Sequence, residues 1–188
     1  MWFMAKTKSI TPGLLSSSEA LYYTSWTSSI GLIHAVATPS GLCRVVLGKV
    51  RKQAFVRLIE ERHGIKPLCR ETPFRNFKQE LKQYFSGSLS AFSSPIELCD
   101  GTPFEQKVWQ TLMTIPYGET RSYHWVAQQI GHPRAYRAVG GACGRNPLPI
   151  LIPCHRVIAQ SGKLGGYSGG IFFKKRLLTL ERALKRPS

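Results

Sequence analysis

Hydrophobic and polar positions alternate with different periods along this chain, and the changes of period mark its elements. A polar, Ser-rich stretch over residues 1–19 reads as a loose leader, and β-forming residues then fill 20–28 and 31–47. Within the second run, Gly31-Leu-Ile-His-Ala-Val-Ala and Leu42-Cys-Arg-Val-Val-Leu flank the turn-forming tetrapeptide Thr38-Pro-Ser-Gly. That pattern predicts a hairpin. Over 73–85 the period lengthens: Phe74, Phe77, Leu81 and Phe85 fall at helical spacing, with Lys78, Glu80 and Lys82 between them. Small polar residues take over from Ser86 to Pro95 and form the best candidate linker. The chain is therefore expected to divide into a domain over 1–95, leader and linker included, and a second over 96–188.

The second part opens on a helix start. Thr102-Pro-Phe-Glu105 is a capping box with proline at the first helical position, and Phe104, Val108, Trp109 and Leu112 supply an apolar face. Tyr117-Gly-Glu reads as a turn. Ser122 can cap a helix that runs through Val126 to Ile130 and is closed by Gly131. Pro133 starts a second helix that reaches the Gly140-Gly141 pair. Two short helices about a glycine turn resemble a helix-turn-helix, although such pairs are also ordinary scaffold. In the second helix, Arg134 and Arg137 alternate with Ala138, Gly140 and Gly141, residues small enough to admit a DNA groove or another helix. A last helix spans Lys174 to Leu184, with Leu177, Leu178, Glu181 and Leu184 on one stripe.

Composition narrows the class. The 188 residues are 43% hydrophobic and 11% aromatic, too rich in core formers for intrinsic disorder. Lys and Arg number 26 against 10 Asp and Glu, a net charge of +16 that attracts polyanions, of which nucleic acid is the commonest. The five cysteines, Cys43, Cys69, Cys99, Cys143 and Cys154, form no C-x-x-C pair and have no histidine at zinc-finger spacing. This argues against a structural metal or a disulfide framework and for a reducing compartment. With neither a secretory signal nor an apolar run long enough to cross a bilayer, a cytoplasmic protein without membrane contact is expected.

The candidate chemistry centres on Cys154. It follows Pro153, which stiffens the backbone, and precedes His155 and Arg156, whose charge would favour the thiolate. A cysteine in an apolar run is also an ordinary core residue. Downstream, Gly162-Lys-Leu-Gly-Gly-Tyr-Ser-Gly-Gly170 is a loop able to wrap a ligand, with Tyr167 and Ser168 as its polar handles. Glu181, on an apolar stripe, needs a partner. His155 would complete a Cys–His–Glu arrangement; Lys185, four residues on, would make a surface pair instead.

In order along the chain stand Gly101-Thr-Pro-Phe, Val108-Trp109, Ile115-Pro-Tyr-Gly118, Ser122-Tyr123, Arg137-Ala-Val-Gly140, Asn146-Pro, Ile152-Pro-Cys-His-Arg-Val157, Gly166-Tyr-Ser-Gly-Gly170 and Leu177-Leu with Glu181. Over nearly all of 96–184 these motifs closely resemble the O6-alkylguanine-DNA alkyltransferases, the methylated-DNA–protein-cysteine methyltransferases; the N-terminal half matches more loosely. The resemblance implies an α/β fold. It has a small N-terminal α/β domain with an antiparallel sheet and a mostly helical C-terminal domain holding a winged-helix-like helix-turn-helix and the active site. It implies DNA repair by direct reversal: one irreversible transfer of an alkyl group from O6 of guanine, and O4 of thymine, in double-stranded DNA to Cys154. No cofactor or metal is implied, and the protein would act as a monomer.

By the same resemblance His155 and Glu181 would activate Cys154 through a water, and Asn146 would hold the turn. Tyr123 would help rotate the nucleotide out and donate to the leaving guanine. Arg137 would fill the gap in the base stack, with Ala138 and Gly140 against DNA. Val157 and Ser168 would read the base, Pro149 and Tyr167 would line its pocket, and Lys174 would assist the leaving group. Tyr136 departs from the family, where a small residue is commoner. Two other readings stay open: a lesion-sensing protein that binds alkylated DNA without transfer, and a thiol hydrolase using Cys154 and His155.

Overall fold

The computed structural model describes residues 20–48 and 50–182. The expected leader over 1–19, and Leu184 and Lys185, lie outside the described residues. By internal contacts the chain forms two units. One runs up to Tyr84 and adds Phe92–Asp100; the other joins Phe85–Ala91 to the residues from Gly101 onward. The change of unit at Gly101 comes later than residue 95 because Leu42 brackets the intervening backbone. Its N–H donates to Pro95 O at 2.9 Å and its carbonyl accepts from Glu97 N at 2.8 Å. Ser93 and Ser94, read as linker, instead donate amide and hydroxyl to the buried carboxylate of Glu80.

In the first unit the hairpin forms as the pattern required. Strands β1 (Tyr22–Ser28), β2 (Gly31–Thr38) and β3 (Gly41–Leu47) are antiparallel, and the short β4 (Leu68–Cys69) lies parallel to β1, in the order β3-β2-β1-β4. β2 is apolar without alternation because both its faces are covered. His34 stacks on Phe55, ring centroids 4.6 Å apart, while Trp26, the register partner of Ile33, meets Phe77 edge-on at 6.0 Å. Phe55 belongs to α1 (Lys52–His63), a helix the sequence reading missed; Phe77 belongs to α2 (Arg75–Phe85), which it anticipated.

In the second unit, Thr102 caps α3 (Pro103–Met113) with the reciprocal Glu105 bond of a capping box. Two-residue β5 (Arg121–Ser122) runs parallel to β6 (Val157–Ile158), and the hydroxyl of Ser122 accepts from Trp125 N to start α4 (Tyr123–Gln129). α5 spans Tyr136–Gly144 and corrects the sequence reading at both ends. Residues 132–135 are consumed by a tight turn, with Ala135 N bonded to His132 O, so proline does not open the helix; and Gly140-Gly141 lies inside it. Trp109 Nε1 donates to Ala142 O at 2.9 Å and fastens α5 to α3. α6 (Ile171–Leu180) starts and stops earlier than expected, leaving Glu181 at its C-cap.

Candidate active site

Cys154 begins a single 3-10 turn, Cys154–Arg156, at the end of the loop that follows α5. Two features fix that loop. Ile150, buried and β-branched, holds φ at 80°, a conformation costing roughly 1–3 kcal/mol that only a determined surrounding maintains. Asn146 supplies the determination. Its Oδ1 accepts from Leu148 N at 2.9 Å, and its Nδ2 donates to Ile152 O at 2.8 Å and to Cys154 Sγ at 3.1 Å. Asn146 thus ties the end of α5 to the thiol.

Behind the thiol lies a buried charge network. Glu181 Oε1 is 2.9 Å from His155 Nε2, while Arg156 donates to both carboxylate oxygens, Nε at 2.8 Å and Nη2 at 2.9 Å. Arg156 Nη1 also donates to Ile115 O at 2.6 Å. Burial alone would raise the Glu181 carboxyl, but these donors more than offset it and hold it down at about 2. The carboxylate is therefore ionised, and Nε2 of His155 carries the proton it shares. Nδ1 is buried and has no hydrogen-bond partner among the described residues. Glu181 has His155 as a partner, as the Cys–His–Glu reading expects; Lys185, the alternative, lies outside the described residues. Arg156, whose forked guanidinium fits a carboxylate, was missed in this role.

The resting thiol differs from the sequence expectation. Burial pushes Cys154 up, against the Asn146 bond and the Lys174 charge, and burial lowers His155 despite Glu181. Arg156 spends its charge on Glu181. The ground state is thus a neutral thiol beside a neutral imidazole, rather than a thiolate favoured by two adjacent cations. The cation that does act on the thiol is Lys174, buried and itself lowered by burial, with Cys154 and Cys143 pulling it back up. Its Nζ donates to the carbonyls of Val157 and Leu164 and lies 5.9 Å from the Tyr123 ring centroid.

Cys154 opens into a cavity of about 600 Å³, within the usual range for a small-molecule site. Tyr123, Arg137, Gly140, Tyr167 and Ser168 share its wall, as do Tyr136 and Cys143, which the sequence reading did not place there. Ala138 is exposed on α5 outside the wall. Pro149 also lies outside it, bridged to Ile152, and Val157 sits buried with its carbonyl engaged by Lys174. Tyr123 is pushed up to about 12 and Tyr167 also upward, both chiefly by burial, so each keeps its phenol proton. Tyr167 Oη is buried with no partner among the described residues. The glycine loop approaches Tyr123 so closely that a Cβ on Gly165 would stand 2.9 Å from its hydroxyl.

Among the described residues no group of three or more His, Cys, Asp or Glu converges to hold a metal ion, and no helix is long and apolar enough to cross a membrane.

Residues 21–98 match the family model for the ribonuclease-like domain of 6-O-methylguanine DNA methyltransferase, and residues 103–183 match the model for its DNA binding domain. The methylated-DNA–protein-cysteine methyltransferase of Methanosarcina barkeri is 43% identical over 163 residues, covering 86% of this chain and 97% of its own length. That of Mycobacterium leprae is 54% identical over 109 residues, 58% of this chain, and the match spans only 66% of the mycobacterial protein. The crystal structure of Mycobacterium tuberculosis OGT in complex with DNA superposes with a TM-score of 0.75 at 41% identity, covering 86% of this chain and 93% of that one. The chain belongs to the methylated-DNA–protein-cysteine methyltransferase family.

Proposed function

We propose that this chain repairs double-stranded DNA by moving an alkyl group from O6 of guanine, and from O4 of thymine, to Cys154, acting as a monomer. The observation that carries the reading is that the Cys154 thiol opens into a cavity walled by the second helix of the helix-turn-helix, with the buried His155–Glu181 pair behind it. O6 is out of reach in a stacked duplex, so the nucleotide must be extruded at a cost of a few kcal/mol. Arg137, exposed on α5 at the cavity rim, fills the vacated stack while Ala138 and Gly140 admit the DNA backbone.

In the chemical step the Cys154 proton passes through a water to Nδ1 of His155, whose new charge Glu181 stabilises. The sulfur pair attacks the alkyl carbon, the carbon–O6 bond breaks, and its electrons leave with guanine. Donors near the base lower that barrier: Tyr123 keeps its proton and can hydrogen-bond the leaving ring, and Lys174 adds a positive field. Ser168 and the Val157 backbone read the base edge, with Tyr167 against its face and Pro149 supporting the pocket from behind. The product is a thioether, whose carbon–sulfur bond resists hydrolysis, so each chain acts once. All these residues come from one unit of one chain, which supports a monomer.

Duplex DNA carrying a labelled O6-methylguanine tests the reading. One label per chain, moved to protein, supports transfer. Tight retention of the DNA with the label still on guanine supports lesion sensing instead.

A further inference from the structure

Tyr136 is the first residue of α5, and the only aromatic residue in that helix. The helix is anchored by Val139, Ala142 and Cys143, so its packing does not need the ring. Instead Tyr136 is 45% exposed at the wall of the cavity that Cys154 opens into. The Arg137 guanidinium carbon lies 5.9 Å from its ring centroid, at the outer limit for a cation–π contact. The helix's other outward positions, Ala138, Gly141 and Gly144, carry almost no side chain. One large, half-wet ring therefore stands at the rim of a cavity large enough for a nucleobase, beside the arginine proposed to enter the base stack.

We propose that Tyr136 is a positioning residue whose ring packs face-on against the extruded nucleotide and holds it at the cavity mouth. The inference rests on the base-extruding reading above. Without DNA, the guanidinium stands over one face of the ring at the edge of cation–π range. Once Arg137 moves into the duplex, that face is released to the nucleotide leaving it. Stacking on an aromatic ring tolerates any base, because every base has a π-face. Tyr136 would thus hold alkylated guanine and alkylated thymine alike. What it supplies is retention of the nucleotide against its return to the duplex stack, a competition that a free base does not face.

The test measures single-turnover transfer from O6-methylguanine in a duplex and from the free O6-methylguanine base, for the full chain and for Tyr136→Ala, Tyr136→Leu and Tyr136→Phe. The ratio of duplex rate to free-base rate should fall roughly tenfold to a hundredfold in Tyr136→Ala. Tyr136→Phe should restore it, while Tyr136→Leu, apolar but without a π-face, should not. An unchanged ratio in Tyr136→Ala, equal loss on both substrates, or rescue by Leu as good as by Phe each overturns the proposal. Failure of the unaltered chain to transfer from either substrate would instead overturn the functional reading on which it rests.

Discussion

His155 Nε2 lies 2.9 Å from Glu181 Oε1, and neither side chain is exposed to solvent. The relationship sets the direction of proton flow. Glu181 is ionised, so it fixes the imidazole proton on Nε2 and leaves the Nδ1 lone pair to accept another. Arg156 keeps the buried carboxylate from standing alone while the imidazole is neutral. The pair is therefore a base whose charged form is prepared in advance.

Glu181→Gln removes that preparation. His155, already lowered by burial, loses the charge that supports its protonated form, and the thiol becomes harder to ionise. Transfer should slow, and the rate against pH should shift upward, each pH unit corresponding to about 1.4 kcal/mol. Stopped-flow transfer across a pH series checks it. An unmoved profile would mean that Glu181 only supports the fold.

The same carboxylate links stability to acid. Its folded value, about 2, lies below the ordinary 4.5, so its contribution is complete above 4.5 and is lost as pH falls towards 2. The linkage is on the order of 3 kcal/mol. His155, kept neutral by burial, pulls the same way below its ordinary value. Urea titrations between pH 6 and 2.5 should show a steep loss of stability in the native chain and a shallower one in Glu181→Gln, from a lower starting point.

Asn146→Ala leaves Ile152 O and Cys154 Sγ without their shared donor and frees the strained turn at Ile150. A cost of about 1–3 kcal/mol is expected, with slower transfer. Asn146→Asp keeps the shape but places a negative charge against the sulfur, so its thiol should titrate higher than in Asn146→Ala. Thiol alkylation rates against pH distinguish the two variants.

Arg137→Ala should lose transfer mainly from duplex DNA, where extrusion is expensive, and far less from a free modified base. Arg137→Lys should rescue only in part, since a guanidinium stacks and an ammonium does not. Were Arg137 a plain phosphate contact, binding to all DNA would weaken and the salt slope would fall by about one charge. Rates on both substrates, with binding measured across salt, separate the two roles.

The hairpin and the cap of α3 were legible because each has a short local signature, a turn tetrapeptide in one case and Thr102-Pro-Phe-Glu105 in the other. α1 was missed because its signal is thin: Phe55, Ile59 and His63 recur every four residues, but exposed Leu58 beside them blurs the stripe. The start of α5 was misjudged because Pro133 can open a helix or sit in the turn before one, and the His132–Ala135 bond selects the turn. At the site, Glu181 stood out as a carboxylate among leucines. Its second partner, Arg156, did not, because a neighbour of the nucleophile suggests charge on the sulfur rather than support for an acid. The Asn146 contact and the cavity positions of Tyr136 and Cys143 depend on how a loop with a left-handed isoleucine folds back, and residue spacing does not encode that.

The central claim is that Cys154, and no other cysteine, receives the alkyl group. Peptide mass mapping after reaction with duplex DNA containing O6-methylguanine tests it directly. One methyl group should appear on the peptide carrying Cys154, and Cys154→Ser should gain none while still binding DNA, since affinity comes mostly from phosphate contacts. A methyl group on Cys43, Cys69, Cys99 or Cys143, or transfer that survives in Cys154→Ser, would contradict the account.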